Sequence, residues 1–346
     1  MHEELRLRAR DINFDSTISR QLVHRNFIDH VLVTDVVRMQ DDRFLCGARL
    51  PQSHIYFNEI AGNCSGILLG TEMMRQSSIA LSHKFLGVSP SFSYILQHVT
   101  NVVERLGPRT ITRELCNVIL DIQLTDRTYR RSGELTGLVA DIQIYSGDQR
   151  VMRGGGEFMF VPKKMYERLR RSGGNGHAGG NGSDIHPIPI APEQVGRREL
   201  QNVVITSVTQ REPDLFEAHV VVDPEHPYFF EHKLDHVSGM LLLEACNQVG
   251  IAATARWFGF VPREIVFKSF DAHFHEFAAL GELVKVTARV LEHAAAPFDG
   301  CALTLDVHFT QNGHPLAECR VGMAAVATLE PLLVSTQRVT AGSERA

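Results

Sequence analysis

The chain has 346 residues, 44% of them hydrophobic, with a formal net charge of −5. That length and apolar content support two ordinary domains, and the acidic balance gives no field for a nucleic-acid backbone. No apolar run reaches the roughly 20 residues of a membrane span, and Glu3, Glu4, Arg6, Arg8 and Arg10 leave no apolar centre for a leader peptide, so a cytoplasmic protein without membrane or nucleic-acid partners is expected.

In chain order, alternation and β-branched content predict strands over Val31–Arg38 and Phe44–Leu50. A helix follows over Ser65–Phe85, with Leu68, Leu69, Glu72, Gln76, Ile79 and His83 inward at helical spacing. Gly87 with Pro90 stops it. Strands are then expected over Phe92–Val103, Arg113–Leu124, Leu135–Tyr145 and Val151–Val161. The triple glycine Gly154–Gly156 precedes no helix, so it reads as a bulge and not a phosphate loop. The basic run Lys163–Arg171 reads as a solvated face, and Ser172–Ser183 (SGGNGHAGGNGS) as a flexible linker. Such a linker reaches about 20 Å, so the halves can lie side by side.

The second half repeats the pattern. Strands are expected over Val203–Gln210 and Leu215–Val222, then a helix over Val237–Phe258 stopped by Gly259 and Pro262. Further strands follow over Ile265–Phe277, Leu283–Leu291, Leu303–Thr310 and Ala317–Ala327. The six cysteines form no C-x-x-C pair and read as buried reduced thiols.

The repetition is literal. A shift of about 172 positions lays His54, Tyr56, Phe57, Glu59, Glu72 and Gln76 on His226, Tyr228, Phe229, Glu231, Glu244 and Gln248, and Arg25 on Arg197. One long buried helix wrapped by an antiparallel sheet, twice over, is an α+β double hot dog, with the copies paired edge to edge. The expected boundaries are a first domain at 20–165, a linker at 166–188, a second domain at 189–330 and a disordered tail at 331–346.

The segment HPYFFEHKLDHVSGMLLLEACNQ (226–248) resembles the pattern of hot-dog 3-hydroxyacyl-thioester dehydratases, with Phe229-Phe230 before His232, Gly239 at the helix start and Glu244-Ala245 beyond. It departs in a His-to-Gly distance two residues shorter and in Ser238 for the usual Pro. Together with VHR (23–25), VLVTDVVRMQDDRFLCGARLPQSHIYF (31–57) and EMMRQ (72–76), it resembles the A-factor biosynthesis (AfsA-like) family across nearly the whole chain. The resemblance implies a β-ketoacyl transferase that moves a 3-oxoacyl group from acyl carrier protein to a hydroxyl of dihydroxyacetone phosphate, towards a γ-butyrolactone or butenolide signalling molecule. EACNQ (244–248) lacks the Arg expected before Gln, which only the first half keeps as Arg75.

The resemblance also implies roles. In homodimeric hot dogs the His and acid of a site come from different subunits, so His232 would face Glu72. Ile60 stands where the first half would need its own histidine, so one working site is expected. A buried carboxylate needs a reason. Glu72 and Glu244 are satisfied by Gln76 and Gln248 one turn on, or act as bases raised by burial. The Gly239 amide would hold the thioester oxygen. Arg75, Arg25 and His54 are the candidate substrate-phosphate ligands, with Arg75–Glu72 pairing and a turn role for His54 as alternatives. His232 and His236 have an i, i+4 spacing, but in a loop; no metal and no cofactor are expected. His273 and His275 read as structural or solvated. Arg168, Arg170 and Arg171 offer a charged surface to a carrier protein. Other functions compatible with the fold are a hot-dog dehydratase or thioesterase and a non-catalytic acyl-binding regulator.

Overall fold

Two helices that are buried on nearly every side organise the molecule, and such helices must be enclosed by protein. The computed structural model describes residues 3–49, 54–57, 66–104, 117–172, 187–231, 234–294 and 302–325, the side chains of 4 and 170–172 excepted. In chain order the first half contains α1 (Glu3–Ala9), β1 (Val33–Gln40), β2 (Arg43–Arg49), α2 (Ile67–Phe85), β3 (Phe92–Val103), β4 (Asn117–Tyr129), β5 (Leu135–Ser146), β6 (Gln149–Pro162) and α3 (Lys163–Ser172). The second contains β7 (Thr209–Glu212), β8 (Leu215–His219), α4 (Gly239–Phe258), β9 (Ile265–Phe274), β10 (Lys285–His293), β11 (Leu303–Gln311) and β12 (His314–Ala325).

The strands form one 12-stranded sheet in the order β1-β2-β4-β5-β6-β3-β9-β12-β11-β10-β8-β7. That order is a palindrome about the β3–β9 seam, where Val99 faces Ala272 and Thr100 faces Asp271. Each half thereby covers the other's open edge. α2 and α4 touch one another, and residues of both halves belong to one continuous apolar core. This is the double hot dog, with the edge-to-edge pairing expected from the repeat. Among the described residues no helix is long and apolar enough to cross a membrane.

Both long helices stop as the glycines require. Gly259 sits at φ +75° and donates its N–H to the Ala255 carbonyl; Gly87 sits at φ +71°. Only glycine takes such angles without strain.

Several expectations fail in detail. Val203–Gln210 is not one strand: Val203, Val204 and Ile205 are all buried, and the Val204 N–H is taken by the Gln248 side chain (2.9 Å), so regular pairing begins only at Thr209. Gly154–Gly156 is not a bulge. All three pair in register with β3 and β5, and a Cβ on Gly154 or Gly155 would collide with the Thr100 or Ala140 carbonyl oxygen. The β3–β6 irregularity lies at Leu96/His98 instead. Residues 166–172, placed in the linker, are the end of α3, tied down by Tyr166 through its hydroxyl to Asp235 (2.8 Å). The rest of the linker up to 186 and all of 326–346 lie outside the described residues. Cys46, Cys246 and Cys319 are buried free thiols; Cys64, Cys116 and Cys301 lie outside the described residues.

Candidate active site

α2 carries Glu72 into the core with no solvent exposure. Its carboxylate is fully partnered. Arg75, three residues on, grips it bidentately (Nε–Oε2 2.8 Å, Nη2–Oε1 2.9 Å), and Gln76 donates to Oε1 at 2.6 Å. Gln76 is itself fixed, accepting from the Leu32 N–H and donating to the His30 carbonyl. The third partner is Arg25, aimed by a turn in which His24 takes φ +53°. Arg25 donates to Glu72 Oε1 through Nη2 (2.6 Å) and Nε (3.2 Å), and through Nη1 to Glu231 of the other half (2.8 Å). Glu231 also meets His30 Nδ1 at 2.6 Å. One guanidinium thus joins the buried acids of both halves.

These charges set the protonation states. Burial pushes the Glu72 carboxyl up, but Arg25 and Arg75 outweigh it and hold the group well below the ordinary carboxylate range. The expectation of a carboxyl raised towards general-base duty is therefore overturned for Glu72, which is an ionised anchor. Glu231 is also lowered: burial opposes ionisation, and His30 and Arg25 prevail. Arg25 holds its proton more firmly than usual, because Glu72, Tyr228 and Glu231 together exceed the cost of its burial.

The second half builds the same frame around Glu244. Arg197 donates to Oε1 through Nε (3.0 Å) and pairs ionically with it through Nη2 (2.7 Å), and Gln248 donates to the same oxygen at 2.6 Å. The two frames meet where Tyr56 and Tyr228 stack at 4.7 Å with planes 7° apart, each under a guanidinium (Arg197 over Tyr56, Arg25 over Tyr228). The frames differ where Asn247 stands in place of Arg75, most plainly at Oε2. Glu244 Oε2 receives the Tyr56 hydroxyl (2.7 Å) and the Asn247 amide (3.2 Å), whereas Glu72 Oε2 receives Arg75.

The cavities differ accordingly. Beside Glu72 lies a cavity of about 260 Å³. Arg25, Arg75 and Tyr228 line one part; Ser238, Gly239 and Met240 bring in the start of α4; Leu96, Leu234, Phe274 and Phe277 supply apolar wall. The equivalent space beside Arg197 and Asn247, at the start of α2, holds only about 30 Å³. Ser238 caps α4 through the Leu241 N–H, and the first N–H groups of a helix have no acceptor within it, so Gly239 can offer its amide, backed by the helix dipole, to an oxyanion. His236 also lines the cavity, with Asp235 (2.8 Å) and the Tyr166 hydroxyl (3.1 Å) at its Nδ1.

The predicted residues thus divide. Glu72, Arg75, Arg25 and Gln76 come together, and Arg25, Arg75 and Gly239 share the open cavity. Glu244 and Gln248 sit in the closed twin. His54, offered as a phosphate ligand, is buried in a turn: its Nδ1 accepts the Tyr56 and Phe57 N–H groups, as His226 does for Tyr228 and Phe229. His232 and its pairing with Glu72 lie outside the described residues, as does Ile60. The sequence reading assigned no role to His30, Glu231, Tyr228 and Arg197. Arg197, Tyr228 and Glu231 were visible as repeat-matched polar or aromatic positions; nothing marked His30.

The family model for the A-factor biosynthesis hotdog domain (AfsA) matches residues 8–162 and 181–327. The chain is 34% identical over 239 residues to a 2-oxo-3-(phosphooxy)propyl 3-oxoalkanoate synthase of Streptomyces virginiae, covering 68% of this chain and 77% of the relative. It is 29% identical over 263 residues to a protein of the same name from Streptomyces griseus, covering 75% and 81%. Among solved structures, a putative oleoyl thioesterase from Lactobacillus plantarum aligns with TM-score 0.48 at 10% identity (82% of this chain, 97% of that one). A pyran synthase domain from module nine of the sorangicin pathway aligns with TM-score 0.48 at 16% identity (86% and 98%). With the family model matched in both halves and a relative 34% identical over most of the chain, the chain belongs to the A-factor biosynthesis hotdog (AfsA) family and is an enzyme of its acyltransferase type.

Proposed function

We propose that the Glu72-side cavity is the single transfer site, where a 3-oxoacyl group passes from an acyl carrier protein thioester to the hydroxyl of dihydroxyacetone phosphate. The observation that carries this reading is one cavity shared by a partly exposed guanidinium, a helix N-terminus and an apolar wall. The relatives' printed name describes an ester whose two halves such substrates would supply.

The chemistry follows from the donors. Arg75 spends Nε and Nη2 on Glu72 and is 25% exposed, so its remaining N–H groups can meet a phosphate; Arg25, at 7%, is consumed in holding the two acids. The thioester carbonyl sits at the Gly239 amide, with its chain along Leu96, Phe274 and Phe277. His232 takes the proton of the triose hydroxyl. The oxygen attacks the thioester carbonyl, the C–S bond breaks, and the imidazolium returns its proton to the departing carrier thiolate. Glu72 fixes Arg75 and does not itself move a proton. The reaction would run in the cytoplasm and deliver the precursor of a butyrolactone or butenolide signal.

The direct assay mixes a 3-oxoacyl thioester with dihydroxyacetone phosphate and follows thiol release, which should depend on the triose. Release without it would mark a thioesterase; loss of water from a 3-hydroxyacyl thioester would mark a dehydratase. Arg75→Ala should raise KM for the triose about 10- to 100-fold, the worth of a charge-assisted contact of about 1.5–3 kcal/mol, while KM for the thioester stays put. His232→Ala should cost about 10²–10⁴ in kcat. An unchanged kcat there, with loss on His236→Ala, would move the base to His236.

A further inference from the structure

We propose that the seam between the two halves binds one divalent cation of the zinc class, held by His98, Asp271 and His273. His98 on β3 stands directly opposite His273 on β9, and their rings stack at 4.3 Å with planes 10° apart. Asp271, two residues before His273, shares its face of the sheet. Its Oδ1 lies 2.7 Å from His98 Nε2 and 3.4 Å from His273 Nε2, and the three donor atoms all fall within 4.8 Å of one another. Among the described residues no other set of His, Cys, Asp and Glu gathers three donors in this way.

The cross-strand register makes the arrangement more than a surface ion pair. Glu157 on β6 faces His98, and Glu318 on β12 faces His273. Residues directly opposite in a ladder project to the same side. The row therefore reads acid, histidine, histidine, acid across four adjacent strands, with Asp271 beside it. Four tetrahedral donors at about 2.0–2.1 Å from zinc stand about 3.3 Å from each other, close to the His273–Asp271 spacing; His98 must move out by about 0.6 Å from Asp271, and the two near-parallel rings must turn out of their stack so that both in-plane lone pairs meet one ion. Two imidazoles and a carboxylate are the donor set that suits zinc over magnesium or calcium. The histidine side chains are 30% and 48% exposed, which leaves a route for the ion and a position for water or a neighbouring carboxylate. The proposed ion clamps β3 to β9, the two strands that join the halves, and none of its three ligands lines the cavity beside Glu72. It differs from the expectation that the chain carries no metal.

The test uses the untagged full-length protein, stripped with chelator. Cobalt(II) is titrated by visible absorption and displaced by zinc, and melting is followed with and without zinc. One equivalent should bind with roughly micromolar or tighter affinity, and zinc should raise Tm by at least about 2 °C. His98→Ala and His273→Ala should each weaken uptake at least about tenfold, and the double variant should abolish both uptake and the Tm shift. Removing the exposed Asp306–His308 pair should change nothing. No uptake by wild type, or uptake and Tm shift unchanged in the double variant, would overturn the proposal.

Discussion

Arg25→Met should lower the unfolding free energy by about 3–5 kcal/mol, the cost of breaking a buried pair from one side. Arg25 is the shared partner of Glu72 and Glu231, whose side chains are both fully buried. A methionine fills much of the same volume but leaves two carboxylates short of a cation. Glu72 retains Arg75 and Gln76, and Glu231 retains His30. The contact that Arg25 makes across the halves is lost in either case. Urea denaturation checks this: a midpoint near that of wild type, with an unchanged slope, would mean that solvent reaches these acids and the frame is weaker than its geometry. Arg25→Lys should recover only part of the loss, because an ammonium cannot bond Glu72 and Glu231 with the same planar fork.

Acid should destabilise the protein before ordinary carboxylates titrate. His54 and His226 are each lowered to about 4, chiefly by burial, with the positive charges of His30 and Arg25 adding to it at His54. Each uses Nδ1 to accept two backbone N–H groups, so a proton arriving there must break the turn. The sign follows directly. The unfolded chain binds these protons near the ordinary value of 6.5 and the folded one near 4, so the stabilisation is complete above about pH 6.5 and is lost as pH falls towards 4. Each histidine contributes up to about 1.4 kcal/mol per pH unit in that window. Between pH 7 and pH 5 the loss should reach about 3–4 kcal/mol, with further loss below as Glu72 and Glu231 are forced to protonate. Urea midpoints measured across this range should fall steeply in wild type and much less in His54→Asn with His226→Asn. A flat wild-type profile from pH 7 to pH 5 would contradict the buried neutral state.

Much of this was legible in the residues. Glu72 and Glu244 stood out because a charge recurs in the apolar stripe of each long helix, and the helix bounds were set by Gly87 and Gly259. The substitution of Arg75 by Asn247 already marked the two frames as unequal, and the cavities of about 260 and 30 Å³ differ on the same side. What escaped were partners set by tertiary contact. Nothing local says that Arg25, 47 residues before Glu72, will reach it, or that Glu231 will turn back to the first half. Burial of Glu72 was readable, yet its direction of titration depends on two arginines, one of them distant. Helix α3 was read as a solvated basic run because most of its described side chains are exposed, and the tie from Tyr166 to Asp235 is a tertiary contact. The strand expected at Val203 failed because a side-chain amide, not a neighbouring strand, takes the Val204 N–H.

The rate of triose-dependent thiol release in Glu72→Gln against Glu244→Gln decides whether one frame or both works. Freed from its anchor, Arg75 should lose its aim, and Glu72→Gln should cost about 10- to 100-fold in kcat/KM, roughly 1.4–2.7 kcal/mol. Glu244→Gln should lose stability yet keep the rate of the folded fraction within about threefold. Full activity in Glu72→Gln together with its abolition in Glu244→Gln would place the chemistry in the closed twin and end the account.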